Sequence, residues 1–362
     1  MTRFLQGTTQ PLSQTYRLAL LDLDGVVYRG KNPIGHAADS IRAAEQTGMT
    51  VEYTTNNSSR FQHVVAEQLR GFGLDVEPWQ VITSAVVAAR MVARHVEPGS
   101  SVLVLGAEHL RDEVSKAGLR IAEAAQDNPQ AVIQGWYPDL AWHELAEASY
   151  AVERGAAYFV TNRDLTIPRE LGIAPGCGSL IQAVINATGV QPVASAGKPE
   201  SAMYDEARLL AARDGEEPVA KQACLAIGDR LDTDIEAGNR GGYDSLAVLT
   251  GVTNPHELMT APAHLRPTFI VPDLRGLNEA QCAPIRSDDG SWICTDAGNA
   301  ADDAAGNAAK AWIHANVLHV SDSGNINALR AACCLAWEYA DSGEDIASIA
   351  LPDFAGTKAL CR

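Results

Sequence analysis

Two aspartates, Asp22 and Asp24, close the apolar run Leu18–Leu21 and stand immediately before Gly25. A carboxylate at the end of a buried strand is costly unless it is paired, hydrogen-bonded or bound to a metal. Three other segments supply candidate partners: Thr55-Asn56-Asn57-Ser58 after a second apolar run, Lys198 in "AGKPE", and Asp229 after "CLAIG", with Asp234 five residues on. Carboxylates without adjacent His or Cys suit a hard cation such as Mg²⁺, which takes one or two carboxylates and keeps waters for a phosphate. Asp22 and Asp229 are the natural ligands. A carboxylate can also attack phosphorus. Asp22 and Asp24 share one side of an extended strand, so one can attack while the other moves a proton onto a leaving alkoxide. Lys198, the Thr55 hydroxyl and backbone N–H groups near Gly25 would neutralise charge on a transferred phosphoryl group.

These residues must be carried by strand ends. "RLALLDL", "TVEYTTNN", "SVLVLG", "AVIQGW", "AAYFVTNRD" and "ACLAIGDR" read as strands, alternating with helical segments such as "GHAADSIRAAEQTG", where Ala38, Ile41 and Ala44 keep helical spacing. Such alternation predicts an α/β, Rossmann-like, doubly wound fold, with the ligand site beyond the carboxyl ends of parallel strands.

The chain has 362 residues, which predicts more than one domain. A formal net charge of −17 argues against nucleic acid or an anionic membrane as partner, but a local cation can still make a pocket for a small phosphate ester. No apolar stretch is long enough to span a membrane, and "MTRFLQGTTQPLSQ" lacks the apolar core of a secretory signal. The seven cysteines form no C-x-x-C pair, and reduced thiols in a cytoplasmic protein are expected. Cys177 is expected to pack as a small apolar group, and Cys333-Cys334 to pack in a helix. No histidine pair at metal-binding spacing is present, so no histidine metal site is expected.

Asp-x-Asp-Gly-Val-Val-Tyr, Thr-Asn-Asn-Ser, Gly-Lys-Pro and Gly-Asp-Arg-Leu-x-Thr-Asp-Ile resemble, in order, the four motifs of the haloacid dehalogenase (HAD) phosphatases. The wording is similar to that of the NagD-like branch, with its phosphoglycolate and 4-nitrophenyl phosphatases, over residues 15 to about 276. The resemblance implies Asp22 as nucleophile and Asp24 as general acid/base, with Mg²⁺ held by the Asp22 side chain, the Asp24 carbonyl and Asp229. Asp234 would orient waters behind the metal. Thr55, Asn56 and Lys198 match phosphate-holding positions, and Asn57 stands beside them. The family also inserts a cap between its second and third motifs. That implies an HAD core over 15–97 and 191–276 and an α/β cap of the C2 type over 98–190. "TNRDLTIP" resembles the substrate loop, making Asn162, Arg163 and Asp164 cap candidates, while Asn162 and Asp164 also suit simple turn formation.

Residues 277–362 lie beyond a standard NagD-like phosphatase and are expected to form a small α+β extension. Some actinobacterial relatives carry a truncated region similar to a GNAT-type acetyltransferase. The pyrophosphate-binding turn of full acetyltransferases is missing here, so a structural role covering an apolar face of the core is expected. Taken together, the resemblance implies Mg²⁺-dependent hydrolysis of a small phosphomonoester through an aspartyl-phosphate. Glycerol 3-phosphate is the leading substrate, and 2-phosphoglycolate or a broad range of small phosphates the alternative. A phosphotransferase or mutase on the same core, and a silent binding module, are the other classes. Whether the protein forms a homodimer is left open by the sequence.

Overall fold

The computed structural model describes residues 4–169, 171–213, 215–295 and 308–354. The Ala/Asp/Asn-rich stretch 296–307 and Cys361 lie outside them. The chain divides into two compact units: one holds the residues up to Tyr53, Phe72–Leu74 and those from Arg208 on, the other Thr54–Gly71 and Asp75–Ala207.

In the first unit the strands Leu18–Asp22, Cys224–Gly228, Asp244–Val248 and Phe269–Val271 run parallel, with Leu18 opposite Cys224, Leu225 opposite Asp244 and Leu246 opposite Phe269. Leu18 to Leu21 are fully buried, as continuous apolar runs in a parallel sheet covered on both faces should be. The strand Thr50–Thr55 lies on the other side of Leu18–Asp22 and carries the chain toward the second unit. The helix Ala37–Gln46 buries Ala37, Ser40, Ile41 and Ala44, so its inward stripe starts one residue before the expected Ala38.

The C-terminal segment belongs to this first unit. Strands Ile285–Arg286, Trp292–Cys294, Ala309–His314 and Val317–Val320 form an antiparallel sheet, and the helix Ile326–Asp341 follows. That helix places Leu329, Ala332, Cys333 and Trp337 in one apolar cluster with Leu249, Leu258, Met259 and Ile270 of the main sheet and its loops. The expected covering role is therefore what the packing shows. Two polar ties fix the contact: Trp337 Nε1 donates to Leu258 O at 2.8 Å, and Arg330 Nη2 donates to Ile270 O at 2.7 Å. Cys333 and Cys334 are buried in this helix, as expected. Cys282 and Cys294, however, are joined as a disulfide, which corrects the expectation of thiols throughout. The fold brings their Cα atoms to 6.1 Å, a separation that a spacing of twelve residues does not reveal.

The second unit is built on a parallel sheet in the order Ala194–Ser195, Ala157–Val160, Ala131–Gln134, Ser101–Leu105, Arg120–Ala122. Its helices Trp142–Glu153 and Cys177–Thr188 pack Ala148, Val152, Ile181 and Val184 into one core with Val132, Tyr158 and Val160. Cys177 belongs to that core, and burial pushes its thiol up to about 12, which removes it as a nucleophile at neutral pH. This unit reaches further than residues 98–190. It also takes in Thr54–Gly71, 75–97 and 191–207: Thr83 is hydrogen-bonded to His109, Ser58 to Thr161, and Arg90 and Arg94 both pair with Glu206.

Candidate active site

The acidic group lies in the first unit. Asp22 ends its strand, Asp229 follows the neighbouring parallel strand, and Asp234 sits in the wide helical turn Leu231–Ile235. Leu21 faces Ile227 in the register, so the two strands finish in step. One carboxylate oxygen from each of Asp22, Asp229 and Asp234 lies within 4.8 Å of the others, and Asp229 and Asp234 are almost wholly buried. Like charges this close repel in a poorly solvated site, and a cation among them removes the conflict. An all-oxygen donor set of this kind fits Mg²⁺. The turn that follows Asp229 brings Asp234, the residue expected to orient waters behind the metal, up to the same group.

The surroundings of Asp229 are tightly specified. Val252 N donates to Asp229 Oδ2 at 2.7 Å and Thr253 N to Asp229 O at 3.0 Å. A side chain at Gly25 or Gly251 would overlap the Asp229 carboxylate, and one at Gly228 would overlap Asp234. Gly25 also has φ +84°, a left-handed conformation that favours glycine. The Thr250 hydroxyl donates to Gly25 O at 2.6 Å, and Arg29 donates to Thr250 O. Asp24 is exposed and lies past the end of the strand, in a turn where Gly25 N donates to Tyr28 O at 2.8 Å. The strand thus ends at Asp22, and Asp24 continues it only as an isolated bridge to Tyr28.

The polar group of the second unit is organised around Asn56. Its Oδ1 accepts from Lys198 N at 2.8 Å, and its Nδ2 donates to Lys198 O at 3.0 Å and to Asp164 Oδ1 at 3.2 Å. Asn56 O accepts from Asn162 Nδ2 at 2.8 Å and from Ser84 Oγ at 2.6 Å. The Asn56 side chain therefore braces the lysine segment. Asn162 and Asp164 join the same brace, whereas Arg163 is exposed. Lys198 is almost wholly buried, with its Nζ 5.9 Å from the centre of the Tyr204 ring. Thr55 Oγ1 accepts from Asn57 N, and Asn57 Oδ1 accepts from Ser59 N at 2.8 Å and Arg60 N at 3.0 Å, which forms the turn leading into the helix Gln62–Gly71.

The loop Thr250–Asn254 is not among the residues expected at the site from the sequence. The signal was available: "LAVLTGVTN" is a strand followed by polar and glycine residues, the same pattern that singled out Asp229. Its side chains suggest no chemistry, since two of its bonds to Asp229 come from backbone N–H groups.

Comparison with known proteins gives the family. The haloacid dehalogenase-like hydrolase model matches residues 19–120, and an HAD-hydrolase-like model matches residues 195–277. The D-glycerol 3-phosphate phosphatase of Mycobacterium tuberculosis is 40% identical over 271 residues, 74% of this chain and 72% of that protein. The chain belongs to the haloacid dehalogenase-like hydrolases. Within them it is a phosphatase. A 5'-nucleotidase of Bacillus subtilis is 35% identical over 69% of this chain and 95% of its own length. The crystal structure of the Mycobacterium tuberculosis glycerol phosphate phosphatase in complex with magnesium superposes with a TM-score of 0.79 at 33% identity, covering 97% of this chain and 98% of that one. The likeness to that structure therefore runs into the C-terminal extension. A p-nitrophenyl phosphatase from Archaeoglobus fulgidus matches with a TM-score of 0.66 at 29% identity, over 72% of this chain and 98% of its own.

Proposed function

We propose that this HAD phosphatase hydrolyses a small phosphomonoester, with glycerol 3-phosphate as the leading substrate, through an aspartyl-phosphate on Asp22. The observation that carries the reading is the all-oxygen group of Asp22, Asp229 and Asp234 at the ends of adjacent parallel strands. The magnesium-bound relative supports Mg²⁺ as the cofactor. Asp22, Asp229 and the Asp24 carbonyl would hold it, with Asp234 beside them, and bound there it supplies charge neutralisation for the phosphoryl group.

Asp22 attacks phosphorus as the ester P–O bond breaks, and the Asp24 carboxyl gives its proton to the departing alkoxide. Asp24 then takes a proton from water as that water attacks the phosphorus, which breaks the Asp22–phosphorus bond and frees phosphate. Thr55 and Lys198 bind the phosphoryl oxygens, and Asn56 holds the lysine segment in position. Asn162, Arg163 and Asp164 belong to the substrate side, where exposed Arg163 is free to meet the leaving group. Residues 98–190 take the part of the family's cap, and residues 277–362 that of an acetyltransferase-like remnant without transferase activity. A small soluble ester points to the cytoplasm, and no helix among the described residues is long and apolar enough to cross a membrane.

A panel of small phosphate esters, assayed for released phosphate with Mg²⁺ and with chelator, tests the reading. Metal-dependent release, fastest with glycerol 3-phosphate, is expected. Faster turnover of 2-phosphoglycolate or a nucleotide would move the substrate and keep the chemistry, while phosphoryl transfer to a second alcohol in place of water would overturn hydrolysis.

A further inference from the structure

The helix Glu108–Lys116 of the second unit carries His109, Asp112 and Glu113 at positions i, i+3 and i+4, which places them on one face. One ligand atom from each lies within 4.8 Å of the others. His109 is 1% exposed. Its Nε2 is 2.9 Å from Thr83 Oγ1, which fixes the ring, and Phe61 packs against it with ring centres 5.1 Å apart. The other ring nitrogen, Nδ1, is buried without a hydrogen-bond partner and faces Glu113 Oε1 at 4.0 Å, too far for a hydrogen bond.

We propose that His109 Nδ1, Asp112 and Glu113 form a site for a borderline divalent cation of the Zn²⁺ class, which Lys116 otherwise fills. Lys116 Nζ lies 2.8 Å from Asp112 Oδ2 and 2.8 Å from Glu113 Oε1. Its ammonium thus meets both carboxylates but leaves the group with one net negative charge and leaves the imidazole nitrogen unused. A divalent cation balances the two carboxylates and takes the nitrogen as well. One imidazole with two carboxylates is a donor set that Zn²⁺ accepts and Mg²⁺ avoids. Two further features lower the cost of exchange. Burial pushes the His109 imidazolium down to about 4, so the ring is neutral and needs no deprotonation at neutral pH. The Lys116 side chain is 58% exposed and can swing into water. Histidine spacing gives no sign of this group, because only one of its ligands is a histidine.

The site stands apart from the phosphatase reading and is tested separately. The metal-stripped full chain, with Mg²⁺ in excess, is titrated with Zn²⁺ by calorimetry and with Co²⁺ by visible absorption. Asp112→Asn/Glu113→Gln is expected to lose one equivalent of Zn²⁺ and the intense Co²⁺ bands of a low-coordinate site. Lys116→Met, which keeps all three ligands and removes their competitor, is expected to bind that equivalent at least ~tenfold more tightly. Stoichiometry and spectrum unchanged in the double variant, or no tightening in Lys116→Met, would overturn the proposal. Since Lys116→Met alters only an exposed side chain, the second result stands even if the double variant folds poorly.

Discussion

The backbone N–H of Val252 donates to Asp229 Oδ2 at 2.7 Å, and so a loop without a reactive side chain orients one of the two buried carboxylates of the acidic group. Gly251 makes the approach feasible, because any Cβ there would overlap the Asp229 carboxylate. Gly251→Ala must push the loop or the aspartate aside. We expect the Mg²⁺ concentration for half-maximal activity to rise at least ~tenfold, as when a support behind a metal ligand is lost. Phosphate release measured against Mg²⁺ at saturating ester checks this. An unchanged Mg²⁺ requirement would show that the loop yields without moving Asp229.

Asp22→Asn keeps size and shape at the end of its strand while removing the attacking charge. Turnover is expected to fall by at least ~10³-fold. The thermal unfolding midpoint should stay near native or rise, because one of three crowded carboxylates is neutralised. Single-turnover assays and calorimetry on the same preparation separate lost chemistry from lost fold. Near-native turnover would remove Asp22 from the nucleophile's place.

Glu52 presents a different case: it is fully buried in the strand Thr50–Thr55, and neither carboxylate oxygen has a hydrogen-bond partner. Burial pushes its carboxyl up to about 8, with the Arg213 charge opposing part of the rise. Between the ordinary value of 4.5 and about 8 the folded chain holds a proton that the unfolded chain has released. This contribution is therefore complete below 4.5 and is lost as pH rises through 8, at up to ~1.4 kcal/mol per pH unit. Urea unfolding between pH 5 and 9 should show native stability falling with pH, and a flatter profile for Glu52→Gln. Equal slopes in the two proteins would locate the pH dependence elsewhere.

The strand ends were legible because a fully apolar run that stops at aspartate is rare without a purpose. Asp22, Asp229 and the buried Leu18–Leu21 strand follow from that one rule. Asp234 was harder, since its entry into the group depends on a wide helical turn that residue types do not announce. The role of Asn56 was only half visible. Its amide matches a phosphate-holding position in the sequence, but its hydrogen bonds are taken by the Lys198 segment and Asp164, which are more than a hundred residues away. Nothing in the sequence marks Glu52 as buried, because an isolated charge in a strand normally lies on a solvated face. The joining of Thr54–Gly71 to the second unit rests on long-range bonds such as Ser58 to Thr161, for which local pattern carries no signal.

The C-terminal helix supplies the last test. Arg266 is 2% exposed and forms a two-pronged pair with Asp341, Nη1 to Oδ2 at 2.7 Å and Nη2 to Oδ1 at 2.9 Å. Its Nε donates to Ala261 O at 3.0 Å, and its guanidinium lies 5.2 Å from the Trp337 ring centre. Asp341→Ala leaves that buried cation without its carboxylate, at an expected cost of about 3–5 kcal/mol. Replacing both partners with apolar residues, Arg266→Met with Asp341→Leu, removes the charge that must be buried and should recover most of the loss. Urea denaturation of the single and double variants reads both quantities. A single variant within about 0.5 kcal/mol of native would mean that water reaches the guanidinium and that the pair adds little to the hold on the helix.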